Sequence, residues 1–305
     1  MNSSPALTQQ RLQHNDGAVT EVFMECTLVP DGAPIRQGDV FIFSNDLTNS
    51  DIWRKAGIIV TADCDIANDK HAGILSYVPI LPLRDYLAWR VLPRIASDRR
   101  KRIIRQLSEM IGRLEDDQGI KPGLSMRAIE VMATEDGGLT DLESYLKNIS
   151  KKDKDTIAAM INEIATCDRV HLTSGYTEQF TALTSLCTPT KKKSAREVLL
   201  GDIRDRLKNL PGDVFFISTL DLEHTEGYVA YLRLVRETNL RQISTSYYYK
   251  DGRRVVAKRT SRLRAPYVYR LTQQMADVFA SIGLPTEYEG ARDFIFDNRL
   301  APDPE

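Results

Sequence analysis

Histidine, tryptophan and paired cysteine are all scarce in this chain. Only four histidines (His14, His71, His171, His224) and two tryptophans occur in 305 residues. No two histidines take the HxxxH spacing that would put two metal ligands on one helix face. Cys26, Cys64, Cys167 and Cys187 include no CxxC pair. Their spacing excludes a zinc ribbon and a disulfide framework and leads us to expect reduced thiols. Also missing are a glycine-rich phosphate loop, a GxSxG elbow and an HExxH helix, which argues against the commonest nucleotide-binding and hydrolase classes. No metal and no cofactor is expected. No apolar run reaches the roughly 18 residues of a membrane span, and the polar start Met1-Asn2-Ser3-Ser4-Pro5 lacks the basic-then-apolar order of a signal peptide. These absences predict a cytoplasmic protein with no membrane partner. An excess of charge of one sign is lacking too: the formal net charge is −1, so any argument for a polyanionic partner must come from how the charges are distributed.

What is present is globular: 42% hydrophobic and 27% charged residues, enough to bury a core. Residues 1–18 read as a flexible leader. Short β-branched and aromatic runs follow, at Val22-Phe23-Met24, Gly38–Phe43, Gly57–Thr61 and Ile74–Ile80, bounded by Gly, Pro, Asn and Asp. The period then changes. Ile103, Ile104, Leu107, Met110, Ile111 and Leu114 recur at helical spacing, as do Ile157, Met160, Ile161 and Ile164. Thr140-Asp-Leu-Glu143 and Ser194-Ala-Arg-Glu197 have the form of capping boxes. After Pro211-Gly212 strands return, and a helix from Pro266 to Ile282 ends before Gly283 and Pro285. The predicted fold class is α+β: a small SH3-like β-barrel or sandwich, split by a helical insertion and closed by a C-terminal helix. The predicted parts are a discontinuous β-rich module (19–83 plus 210–285), the insertion (84–209) and an acidic tail (286–305).

The strongest functional signal is local charge. Residues 231–270 carry eleven Lys and Arg against two acidic residues. Within them, strands over roughly 240–249 and 253–260 are predicted to form a hairpin through Lys250-Asp251-Gly252, because Asp-Gly suits a type I′ turn. Arg253, Arg254, Lys258, Arg259, Arg262 and Arg264 are the candidate phosphate contacts, and Tyr247 and Tyr249 the candidate stacking faces for exposed bases. On a regular strand only about half of the basic residues share one surface. A solvated edge hairpin, or a dock for an acidic protein partner, would carry the same charge.

Thr61-Ala62-Asp63-Cys64-Asp65-Ile66 is the second candidate, at the end of an apolar strand. Cys64 as a nucleophile needs a base or a positive field, and two flanking aspartates supply the opposite. His71 is near in sequence. Asp63, Asp65 and Asp69 as oxygen ligands fit no calcium loop, since its glycine and closing glutamate are missing. A structural reading is a buried thiol with an aspartate capping a turn.

The runs Gly38-Asp39-Val40-Phe41-Ile42-Phe43, Arg54-Lys55-Ala56-Gly57-Ile58-Ile59-Val60-Thr61 and Tyr77-Val78-Pro79-Ile80 resemble the MazF/PemK-type barrels of bacterial toxin–antitoxin loci. The resemblance implies an SH3-like barrel that binds and cuts single-stranded RNA, and a bacterial origin. Lys55 stands where the family has its catalytic arginine, Ala56 where proline follows it, and Leu81 where the family has threonine. The remainder resembles uncharacterised bacterial proteins. Three functions are carried forward. The first is a nucleic-acid-binding accessory protein of a bacterial toxin or phage-defence locus. The second is a ribonuclease or other phosphodiesterase using Arg54, Lys55, Asp63, Cys64 and Asp65, with a cation on the developing phosphorane charge and a carboxylate as base. The third is a non-catalytic protein-interaction subunit.

Overall fold

A computed structural model describes residues 10–13, 19–22, 25–44, 51–121, 123–135, 137–173, 175–245, 256–280 and 286–299. In chain order the strands and helices are β1 (Gln10–Gln13), β2 (Val19–Val22), β3 (Cys26–Leu28), β4 (Asp39–Phe43), β5 (Ala56–Ile59), α1 (Asp63–Ala67) and β6 (Ile74–Pro82). Helices follow: α2 (Leu83–Tyr86), a π turn (Leu87–Val91), α3 (Leu92–Gln118), α4 (Met126–Thr134), α5 (Gly138–Tyr145), α6 (Lys151–Leu172), α7 (Tyr176–Leu186) and α8 (Ala195–Lys208). The chain then returns to β7 (Val214–Ile217), β8 (Tyr228–Tyr231), β9 (Arg236–Asn239), β10 (Ile243–Ser244) and β11 (Ala257–Leu263), and ends in α9 (Ala265–Ala280) and α10 (Thr286–Arg299). Two compact units result, one of Met1–Pro82 with Pro211–Glu305, the other of Leu83–Leu210.

The first unit holds a curled, mainly antiparallel half-barrel sheet in the order β10-β11-β4-β5-β6-β8-β7. The nine-residue β6 pairs with β5 on one edge and shares its other edge between β9 and β8. In the same way β11 pairs with β4 on one edge and with β3 and β10 on the other. Alternation along the strands sorts the apolar side chains onto two faces. Val40, Ile58, Val78 and Ile80 join Leu271 and Val278 of α9 in one core. Phe41, Phe43, Ile59, Leu75 and Tyr77 form a second, with Ile243 and Ala257. In that second core the rings of Phe41 and Tyr77 meet edge to face at 5.1 Å. Gly57, on the strand between them, leaves room for this: a Cβ there would lie 2.5 Å from Tyr77 and 2.7 Å from Phe41.

A buried ion cluster locks the β4–β11 seam. Asp39 is 0% exposed and Arg259 only 4%. Arg259 Nη1 donates to Asp39 Oδ2 at 2.8 Å, Arg262 donates to both carboxylate oxygens, and the backbone N–H of Arg36 donates to Oδ2 at 2.9 Å. On a regular strand residues 259 and 262 point to opposite faces. Here the register shifts between Arg259 and Ser261, so Arg259 lies opposite Phe41 and Arg262 opposite Asp39. That one-residue bulge places both guanidiniums on the carboxylate's side of the sheet.

Several expectations are corrected. Among the described residues the ends of the predicted hairpin pair in parallel, Ile243 of β10 beside Ala257 of β11, whereas the strands joined by a tight Asp-Gly turn would pair antiparallel there. The turn residues Lys250-Asp251-Gly252 lie outside the described residues. Gln10–Gln13 is a strand paired with Val19–Val22 instead of part of a loose leader, because cross-strand pairing satisfies its backbone. Thr286–Arg299 is a helix inside the segment expected to be an acidic tail. Thr140 lies within α5, whose N-cap is Gly137 at φ 93°, so no capping box forms there. The box at Ser194–Glu197 does form.

The second unit, all of whose regular elements among the described residues are helices, pairs part of its basic charge internally. On α3, Arg99 pairs with Glu163 of α6 at 2.9 Å, and Arg100 bridges Asp168 and Glu130, each at 2.7 Å.

Two substitutions test these contacts. Gly57→Ala is expected to lower stability by about 1–3 kcal/mol through overpacking against the two rings, read by urea denaturation. Asp39→Ala strands a buried guanidinium and is expected to cost about 3–5 kcal/mol. Joint replacement of Asp39 and Arg259 by apolar residues of similar volume should recover most of that loss.

Candidate functional site

A cleft of about 1060 Å³ opens on the sheet face that carries the aromatic core. Its apolar lining includes Ile35, Ile66, Leu240 and Ile243, all belonging to or packed against that core. Its polar lining includes Arg36, Asp63, Asp69, His71 and Arg259, and it extends to Ser244 and Thr245. Its size matches the upper end of small-molecule sites, about 300–1,000 Å³.

Each polar group is held by local structure. Asp63 opens the five-residue α1, and its Oδ1 accepts the backbone N–H of Gln37 at 2.7 Å. The turn from α1 into β6 forces two non-glycine residues into the left-handed region, Asp69 at φ 53° and Ala72 at φ 48°. Such positions cost of order 1–3 kcal/mol each and cluster at functional sites. His71 lies between them with its side chain 5% exposed. Its Nδ1 accepts the Gly73 N–H at 2.9 Å, which leaves the neutral ring's proton on Nε2, 3.4 Å from Asp69 Oδ1. Arg36 uses only its backbone N–H on Asp39, and its exposed guanidinium has no partner among the described residues. Arg259 also donates to the Ala33 carbonyl, and its buried Nε has no acceptor among the described residues.

The sequence candidates separate around this cleft. Asp63 lines it. Cys64 and Asp65 do not: they sit in the first turn of α1, not on a strand end, with the thiol 3.7 Å from Asp65 Oδ1. Both nitrogens of His71 face other groups, so His71 is not the base that a Cys64 nucleophile requires. Arg54 is outside the cleft, its guanidinium 5.4 Å from the centre of the Phe43 ring, and Lys55 is exposed outside it.

Of the basic residues, Arg259 and Arg262 are not the exposed phosphate contacts expected, because the bulge turns both onto Asp39. Lys258 alternates to the other face of β11, and Arg264 acts electrostatically on Cys26 and Tyr267. Two further arginines of the basic stretch are paired, Arg233 with Asp213 at 2.9 Å and Arg236 with Asp51 at 2.6 Å. Burial opposes ionisation of Asp51, but the hydrogen bonds from Arg236 and the Trp53 backbone N–H, with the charges of Arg236 and Arg54, together outweigh it and hold the carboxyl below its usual range. Arg253, Arg254, Tyr247 and Tyr249 lie outside the described residues.

Sequence reasoning missed Arg36, and it placed Asp39 in the strand run Gly38–Phe43 without giving it a role. An aspartate at the first position of an apolar strand, with arginines three apart on another strand, was the available signal. Among the described residues no group of three or more His, Cys, Asp or Glu is placed to hold a metal ion, and no helix is long and apolar enough to cross a membrane. No protein-family model matches the chain, and no match was found among curated proteins or solved structures.

Thiol chemistry checks the placement of Cys64. Burial pushes Cys26 up to about 12 and Cys167 up to about 11, and raises Cys187 as well. Cys64 alone is exposed. A colourimetric thiol reagent on the native chain is therefore expected to show one fast-reacting thiol, and Cys64→Ser is expected to remove that phase.

Proposed function

We propose that this chain binds single-stranded nucleic acid through its first unit, as an accessory protein of a bacterial toxin or phage-defence locus. The observation that carries the reading is the parallel pairing of β10 with β11 at the edge of the cleft. Thr245 lines the cleft, and Val256, at the other end of the intervening stretch, packs against the same core. The stretch 246–255 between them contains Tyr247, Tyr248, Tyr249, Lys250, Arg253 and Arg254. Its two ends are anchored beside a cleft with an apolar lining and an arginine, Arg36, without a partner among the described residues, a combination suited to a chain of phosphates and unstacked bases. The curled sheet supports a further reading of the fold as a small SH3-like barrel. The four free thiols go with a reducing cytoplasm.

A second reading, cleavage of the bound strand, has its own support. Asp63, Asp69 and His71 line one cleft with Arg36 and Arg259, which brings carboxylates and cations to a common space where a phosphodiester could sit. In this form of the reading Cys64 has no part.

The test is binding of labelled single-stranded RNA, single-stranded DNA and duplex DNA across a salt series, with product length read on a denaturing gel. Single strands are expected to bind in a strongly salt-dependent way. Arg253→Glu with Arg254→Glu is expected to lower the slope of log K against log salt by about 1.4, since each phosphate contact on a single strand contributes about 0.7. Shortened product that disappears in Asp63→Asn would establish cleavage. Absence of binding at low salt would reject both readings in favour of a protein-interaction subunit.

A further inference from the structure

The cleft is chemically two-sided. Among the described residues the Arg36 guanidinium has no partner, while that of Arg259 on the same lining is bonded to Asp39 and to the Ala33 carbonyl. Asp63 commits Oδ1 to Gln37, and its other oxygen has no partner among the described residues. The same lining carries the apolar side chains of Ile35, Ile66, Leu240 and Ile243. A simple anion would satisfy Arg36 and leave the apolar surface and Asp63 unused. A purely apolar ligand would leave Arg36 unmet.

We propose that this cleft takes one nucleotide unit, with its phosphate on the Arg36 guanidinium, its base against the apolar lining, and an N–H or O–H of base or sugar donated to Asp63. The proposal deepens the nucleic-acid reading and rests on it: the same strand that contacts the 246–255 stretch would place a terminal or unstacked nucleotide in the cleft. The two arginines have different parts. Arg259 is held by Asp39 and cannot be changed without disturbing the seam, whereas the Arg36 side chain is exposed and only its backbone N–H serves the fold. Arg36 is therefore the residue that can be varied without loss of folding.

The experiment is calorimetric titration of the full chain with a nucleoside 5′-monophosphate, the matching nucleoside and inorganic phosphate, beside oligonucleotide binding. The monophosphate is expected to bind at least about tenfold more tightly than either fragment, because only it meets both sides of the cleft. Arg36→Glu should weaken the monophosphate at least about tenfold while leaving the thermal midpoint unchanged, since reversal removes a charge-assisted contact. Asp63→Asn should change the order of preference among the four bases. Equal binding of phosphate and monophosphate would overturn the proposal. So would oligonucleotide binding with no saturable monophosphate binding, although the nucleic-acid reading would then stand. Monophosphate binding without oligonucleotide binding would sustain the nucleotide cleft and reject the polymer reading.

Discussion

A carboxylate without exposed surface needs counter-charges in place of its lost water, and Asp39 has two guanidiniums beside it. The rest of the first unit is arranged around that requirement. Arg259 and Arg262 must lie on the same face of β11 although three residues apart, so the strand carries a bulge. The segment before β4 must bring its carbonyls to the guanidiniums: Ala33 accepts from Arg259, and Pro34 from Arg262 at 2.9 Å. That segment, carrying Ile35 and Arg36 with it, becomes one part of the cleft lining. The cluster thus ties β4, β11 and the 33–36 segment together and in doing so shapes the site.

The same cluster removes two cations from the surface charge on which a first reading of the sequence relies. Arg233 and Arg236 are likewise bound to Asp213 and Asp51. What remains for a polyanion in the described part of the cleft is Arg36, next to carboxylates that would repel an unselective anion. A site of mixed sign is a poor general phosphate trap, and a better receptor for a ligand that carries an anionic end and hydrogen-bond donors. In the proposed reading the basic stretch 246–255 would supply the long-range attraction, and the cleft would read a ligand's shape and polarity.

How far the sequence was legible depended on the range of the interaction involved. The apolar strands at 39–43, 56–59 and 74–82, the α3 stripe, the Ser194 capping box and the start of α9 were all readable, because period and capping are local properties of the chain. β9 escaped notice because Arg236-Glu-Thr-Asn239 is polar and owes its strand to pairing with β6. Lys250-Asp-Gly suggested a hairpin because turn chemistry was weighed without the partner strands. β4 claims one edge of β11, and β10 takes part of the other in parallel. Asp63 was found from its position after an apolar strand. Its partners in the cleft come from four other stretches of chain, near residues 35, 71, 243 and 259, and no pattern in the sequence marks them as neighbours.

The sequence by itself determined the ingredients: two β-rich stretches around a helical one, reduced thiols without metal-ligand spacing, and a concentration of Arg and Tyr near the C-terminus. These follow from composition and from periods of 2 and 3.6 residues, which act within a few residues of each other. Only the tertiary structure decided which arginines face solvent and which are spent on Asp39, that Cys64 stands outside the cleft and Asp63 inside it, and that β10 lies parallel to β11. A one-residue bulge reverses the face of every side chain beyond it, and a buried charge is matched by whatever counter-charge the sheet brings near. Both are set by pairing between residues more than two hundred positions apart, which the local sequence does not encode.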